Sequence, residues 1–227
     1  VGDALAKEFR SAPLSWMTRG IPQATIANGI DTSIFRYDAQ ARAAVRARFG
    51  FDVDDLVVVF AARLHPHKGA AQAVRALALL HERNPAFKLL VVGDGSEGES
   101  LRRLAAELGC ADAVAFAGAV PRAELASLLC AGNGFVFPAL GREGLPLNVL
   151  EALSVGLPCV CAESLRSRFA DVAGIAYADA RVQLEIAVAL EATVLRGPPT
   201  GSWLPARYSL EHCVAAYEAV LRDCVSG

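Results

Sequence analysis

The sequence predicts an α/β protein built on one doubly wound parallel sheet, and three observations carry that expectation. Short apolar runs recur at Leu56–Ala61, Phe87–Val92, Val114–Phe116, Gly134–Phe137, Pro158–Cys161 and, more weakly, Gly174–Tyr177. Helix-period segments separate them at Ala70–Arg83, Glu99–Leu108, Arg122–Ala131, Pro146–Val155 and Ser164–Val172. The runs are apolar almost throughout rather than alternating, as strands are when helices cover both faces of a sheet. Strands and helices alternating at these lengths make right-handed βαβ units.

The punctuation agrees. Pro121 and Pro146 stand where a first helical residue loses nothing by lacking an N–H, and Gly50, Gly109 and Gly156 stand where helices should end. At the amino end, Asp3–Phe9 reads as a short helix and residues 24–29 as a strand running into a turn. The segment 196–208, with Gly197-Pro198-Pro199 and Gly201, reads as irregular, and a last amphipathic helix follows over about Leu210–Leu221, capped by Ser209. No internal repeat is present.

Composition excludes several classes of function. Of the 227 residues, 54 % are hydrophobic and 20 % charged, which rules out a disordered chain. The net charge of −2, with bases and acids interspersed, offers no broad footprint for nucleic acid or anionic lipid. Mean hydropathy is +0.36, yet the richest stretches are broken by Glu151, Glu185 and Glu191, so no transmembrane segment is expected. No signal peptide is legible and the expected location is cytoplasmic. The chain opens on Val1 in mid-pattern, which suggests a piece of something longer. Cys110, Cys130, Cys159, Cys161, Cys213 and Cys224 show no CxxC or zinc-like spacing and are read as reduced packing residues.

Sheets of this kind bind ligands beyond the carboxyl ends of the strands, so the segments after each strand hold the candidate chemistry. Arg63 and Lys68 follow the first run; a guanidinium and an ammonium at a strand–helix junction suit a phosphate, although a solvated loop explains them equally well. Gly93-Asp94-Gly95 follows the second and is better explained as a tight turn. Gly118-Ala119-Val120-Pro121 follows the third; its side chains carry no chemistry, but its backbone groups can read the edge of a base.

The fourth run leads into Pro138-Ala139-Leu140-Gly141-Arg142-Glu143-Gly144-Leu145-Pro146, then a helix containing Glu151. The unpaired N–H groups of a helix start make a seat for a diphosphate. A carboxylate at each end of that seat, roughly 7–8 Å apart along the axis, can grip hydroxyls on both sides. Dipole complementation alone would account for Glu143, and a surface helix position for Glu151. Glu151 lies among Val149, Leu150, Ala152 and Leu153, where an unpaired carboxylate is costly, and that favours a role in binding.

Glu143 and Glu151, embedded in Phe-Pro-x4-Glu-Gly-Leu-Pro-x4-Glu-Ala, resemble the EX7E motif of retaining GT-B glycosyltransferases, most closely family 4, also called group 1. Arg63-Leu64 with Lys68-Gly69 resembles that family's pair on the donor diphosphate, and Asn28-Gly29-Ile30-Asp31 the turn that opens its second domain. Tyr208-Ser209-Leu210-Glu211 resembles the start of its C-terminal helix, which crosses back toward the first domain.

The resemblance implies a single Rossmann-like donor-binding domain over residues 21–208, a stub of a preceding domain over 1–20 and the crossing helix over 209–227. The acceptor domain would be missing, and any peripheral membrane contact would run through it. Arg63 and Lys68 would hold the diphosphate, Glu143 would meet the sugar hydroxyls and Glu151 the ribose. Gly144, Leu145 and Pro146 would line the phosphate seat, with Asn28, Gly29 and Val120 as further donor-site positions. The implied partner is a nucleotide-sugar, acting as substrate.

Nothing resembles a metal-binding DxD, so no metal or other cofactor is expected, and His65 and His67 read as incidental loop residues. The implied process is surface polysaccharide or glycolipid synthesis. One departure stands out: Ala162-Glu163-Ser164 replaces the family's Gly-Gly-x-x-Glu turn, and the next region is compressed. The altered turn favours the alternative, a non-catalytic module that binds a nucleotide-sugar or a partner.

Overall fold

The computed structural model describes residues 24–194 and 197–226. The expected helix at Asp3–Phe9 and the stub at 1–20 lie outside these residues. The elements run α1 (Ala39–Phe49), β1 (Leu56–Ala61), α2 (Ala70–Arg83), β2 (Phe87–Val92), α3 (Gly98–Glu107), β3 (Val114–Gly118), α4 (Arg122–Cys130), β4 (Gly134–Phe137), α5 (Leu147–Val155), β5 (Cys159–Ala162), β6 (Ile175–Ala178), α6 (Gln183–Thr193) and α7 (Leu210–Ser226).

The six strands form one sheet in the order β3-β2-β1-β4-β5-β6, and every pairing is parallel. β1 is central and all six of its residues are buried. It pairs with β2 from Leu56–Phe87 to Ala61–Val92, and with β4 at Val58–Gly134 and Val59–Phe135. The chain winds outward from β1 through β2 and β3, then returns to the other side of β1 with β4. The strand order therefore reverses between β1 and β4, and the crevice beyond their carboxyl ends is where such a sheet takes its ligand.

The core is continuous across the sheet: Phe60, Phe135, Phe137, Leu89 and Leu90 lie inside it, and Val74, Leu77, Leu80, Val149, Leu150 and Leu153 cover it from the helices. Each such side chain contributes roughly 1.5–3 kcal/mol on burial.

Several expectations need correction. Pro121 and Pro146 sit one residue earlier than expected, as the capping residues of α4 and α5. Residues 24–29 form no strand; just after them stands an isolated bridge, in which Ile30 N–H donates to the Tyr208 carbonyl and Leu210 N–H to that of Ile30. The helix expected over Ser164–Val172 is instead a 3₁₀ segment, Glu163–Arg168. Side chains three apart eclipse in that geometry, and Glu163 and Arg166 pair across it. Cys110, Cys130, Cys159 and Cys161 are buried packing residues without disulfides, but Cys213 is half-buried and Cys224 exposed, because α7 covers little of the core.

Two helices lacked a clear apolar period. α6 is apolar nearly all round. α1 buries Val45 and Arg46 and spends its arginines on backbone carbonyls. The Arg42 guanidinium donates to the carbonyls of Cys130, Ala131 and Gly132, and that of Arg46 to Ala131 and Asp55. Cations there complement the negative end of α4.

Candidate functional site

The loops after β1 and β4 are built as one unit. The N–H groups of Leu140 and Gly141 both donate to the His67 carbonyl, at 2.9 and 3.0 Å. Gly69, at φ +83°, lies so close to Pro138 that a Cβ would stand 2.0 Å from its carbonyl oxygen. Asn148, in the first turn of α5, donates from Nδ2 to the Ala61 carbonyl at 2.8 Å. The end of β1, the Pro66–Lys68 turn and the start of α5 are thereby held in one frame at the reversal point.

Within that frame Lys68 Nζ lies 2.6 Å from Glu143 Oε1, with the two side chains 32 % and 15 % exposed, so solvent reaches the lysine more than the carboxylate. The ammonium also stands 6.0 Å from the centre of the Phe137 ring. Pro146 caps α5 with no side-chain bond, and the N–H groups of Gly144, Leu145 and Leu147 meet no acceptor among the described residues. Leu145 and Pro146 are buried while Gly144 is half-buried, so the uncapped helix start opens beside the Lys68–Glu143 pair. Arg63 is exposed and makes no ion pair among the described residues. The arrangement presents mobile positive charge and unpaired N–H donors to one space, which is what a diphosphate needs.

Glu151 follows on α5, its side chain 7 % exposed and paired with Arg122 at 2.8 Å. Burial pushes its carboxyl above the usual carboxylate range, and the Arg122 charge pulls it back. The premise that this carboxylate is unpaired is therefore wrong. Val120 is half-buried two residues before Arg122, next to the Pro121 cap of α4. The stretch after β3 thus does carry side-chain chemistry, one residue beyond where it was sought. A clue was available, because a cation opening a helix opposes the dipole and asks for a local anion. Asn148 left no such clue, since an asparagine in a first helical turn is ordinary.

Gly29 lies against the start of α7, where a Cβ on it would stand 2.7 Å from Leu210 Cα, and Asn28 beside it is exposed. Asp31, which follows, is within electrostatic reach of Arg122. His65 and His67 are exposed, with ring centres 5.0 Å apart. Among the described residues no group of three or more His, Cys, Asp or Glu side chains is arranged to hold a metal ion.

A cavity of about 920 Å³ opens at the opposite end of the sheet, lined by Arg42, Arg46, Asp55 and Asn133. Size alone would make it the ligand site, but its guanidiniums already bond carbonyls and it lies at the amino ends of β1 and β4. The crevice at the carboxyl ends, with Lys68, Glu143 and the uncapped start of α5, is the chemically equipped one.

Comparison with known proteins gives the chain a family. Residues 41–169, more than half of the chain, match the family Glycosyl transferases group 1, and the chain belongs to that family. It is 39 % identical over 142 residues to a GDP-mannose-dependent alpha-(1-6)-phosphatidylinositol monomannoside mannosyltransferase of Mycolicibacterium smegmatis, covering 60 % of this chain and 37 % of the relative. It is 41 % identical over 143 residues to a D-inositol 3-phosphate glycosyltransferase of Acidothermus cellulolyticus, covering 59 % and 31 %. The chain spans about a third of the length of these relatives.

Among solved structures, Anabaena HepE in complex with UDP and glucose shares the fold at a TM-score of 0.74 and 20 % identity, covering 90 % of this chain and 57 % of that one. The C-terminal domain of a Glycosyl Transferase Group 1 Family Protein from Francisella tularensis shares it at 0.63 and 17 %, covering 72 % and 87 %.

Proposed function

We propose that this chain is the donor-binding half of a retaining glycosyltransferase that moves a hexose-type sugar from a nucleoside diphosphate sugar to an acceptor. The observation that carries the reading is the Lys68–Glu143 pair standing before the uncapped start of α5, at the point where the strand order reverses. As the sugar departs, negative charge grows on the diphosphate and positive character on the sugar ring. Lys68, Arg63 and the N–H groups of Gly144 and Leu145 answer the first, and Glu143 the second through the ring hydroxyls. When the diphosphate takes Lys68, it leaves Glu143 free for the sugar.

Glu151 holds the ribose, the backbone at Val120 reads the base edge, and Asn28 and Gly29 set the entry into the domain. The chain's own cations and N–H groups supply the electrostatics without a metal or other cofactor. Two curated relatives named for nucleotide-sugar and inositol-phosphate glycosyl transfer, and a neighbour holding UDP and glucose, support the nucleotide-sugar.

The acceptor site belongs to a preceding domain, which also covers the outer face of α7, and the setting is cytoplasmic synthesis of a surface polysaccharide or glycolipid. Among the described residues no helix is long and apolar enough to cross a membrane. One feature favours a binding module without turnover: Glu163, after β5, is tied to Arg166 in place of the family's turn. That reading predicts nucleotide binding but no transfer once the preceding domain is supplied.

The test is calorimetric titration with UDP, GDP, ADP and their sugar conjugates, beside Lys68→Ala and Glu151→Ala. One nucleotide should saturate, and each substitution should weaken it by about tenfold or more, as loss of a hydrogen bond to a charged group does. Failure of every nucleotide at millimolar concentration, with the chain folded, would overturn the reading.

A further inference from the structure

The pair that α4 and α5 make across the crevice is not part of the diphosphate seat, yet it has the marks of a built contact. Arg122 opens α4 directly after the Val120-Pro121 turn, and its guanidinium reaches the Glu151 carboxylate at 2.8 Å. The same guanidinium lies 5.1 Å from the centre of the Phe35 ring, which is fully buried. Ser154, one turn beyond Glu151 on α5, donates its hydroxyl to the Phe35 carbonyl at 2.5 Å. Phe35 is thus anchored to α5, Arg122 lies over its ring, and the orientation of the guanidinium is set by packing as well as by charge.

The 2.8 Å contact of Arg122 is with Oε1 of Glu151, and Oε2 accepts no hydrogen bond from any described residue. A carboxylate with one oxygen held and the other open can take a pair of vicinal hydroxyls in one fixed orientation.

We propose that Arg122 is a positioning residue for ribose recognition, holding Glu151 through Oε1 so that Oε2 faces the 2′- and 3′-hydroxyls of the donor nucleoside. The inference rests on the assignment of Glu151 to the ribose. It adds that discrimination between ribose and deoxyribose depends on a residue two positions after the base-reading backbone at Val120. Base and ribose recognition are therefore mechanically joined through the first turn of α4. Arg122 does not meet the nucleotide; it acts through Glu151.

The experiment compares the nucleoside diphosphate that binds best with its 2′,3′-dideoxy counterpart, titrated into wild type, Arg122→Met, Arg122→Lys and Glu151→Ala. Arg122→Met keeps an apolar stem over Phe35 and removes the charge; the side chain is half exposed, so the fold should tolerate it, and circular dichroism checks that it does. The ribonucleotide should weaken about tenfold in Arg122→Met while the dideoxynucleotide is unchanged, so that the preference for ribose largely disappears. Arg122→Lys should recover most of it.

Equal weakening of both nucleotides in Arg122→Met would mean that the arginine only braces the fold, and an unchanged preference would mean that Glu151 needs no help; either result overturns the proposal. If Glu151→Ala abolishes the preference while Arg122→Met retains it, the role of Arg122 fails and the donor-site reading stands. If Glu151→Ala leaves the preference intact, the ribose assignment itself fails and this inference falls with it.

Discussion

Lys68, Glu143, Glu151 and Arg122 show how the same two charge types are used differently a few ångströms apart. The Lys68–Glu143 pair is open to solvent on the lysine side, and an exchangeable surface pair contributes little to stability, about 0–1 kcal/mol. In the proposed reading its value lies in being exchangeable, since an arriving diphosphate would compete directly for the ammonium. Glu151 is the opposite case, a carboxylate buried in α5 whose ionisation is disfavoured by burial and supported by one half-exposed arginine.

The consequence for stability has a definite sign. The folded chain holds the Glu151 proton more tightly than the unfolded chain, so stability is lost as pH rises from the ordinary value of 4.5 through the raised one. Glu151→Gln removes that loss, and Arg122, half exposed, returns to water. The melting temperature of Glu151→Gln relative to wild type should therefore climb as pH increases above about 4.5 and then level off. A difference that stays flat, or runs the other way, would show that the arginine outweighs burial.

At the scale of elements, the frame around the crevice depends on close backbone approach. The β1–α2 and β4–α5 connections touch backbone to backbone through Gly69 and Pro138 and through the His67 carbonyl, beside the Lys68–Glu143 side-chain pair. Gly69→Ala should cost at least about 2 kcal/mol in urea denaturation, because a left-handed backbone and a clash with the Pro138 carbonyl act together. Nucleotide affinity should fall in the same variant, since displacing Pro138 moves the strand end that leads to Glu143. Retention of full stability and affinity would show that the two loops are independent.

For the molecule as a whole, one surface stands apart. Leu210, Val214, Tyr217 and Leu221 lie at helical spacing along α7 and are 43 %, 47 %, 54 % and 63 % exposed. An apolar stripe of this kind is a surface built to be covered, and in the proposed reading the preceding domain covers it. Tyr217→Lys combined with Leu221→Lys should leave the stability of this chain within about 0.5 kcal/mol of wild type, because neither side chain is packed. The double substitution should also reduce concentration-dependent self-association in sedimentation velocity. A large loss of stability would mean that α7 packs against the domain more closely than its exposure indicates.

The sheet, the alternation of strands with α2–α5 and the segments that follow each strand could be read from the sequence, because burial of a parallel strand on both faces writes continuous apolar runs into the chain. Lys68, Glu143 and the start of α5 were legible as candidates because they directly follow strands at the carboxyl edge of the sheet, where ligands bind. Tertiary structure alone decided which charges meet. Arg122 and Glu151 are 29 residues apart along the chain, on different helices, and a periodicity that reports only burial cannot say which cation answers a buried carboxylate. The same limit hid α1, whose arginines bond carbonyls near the end of α4. In both cases the deciding contact lies outside the local window that secondary-structure patterns record, whereas the 3₁₀ segment after β5 carries a local pair, Glu163 with Arg166.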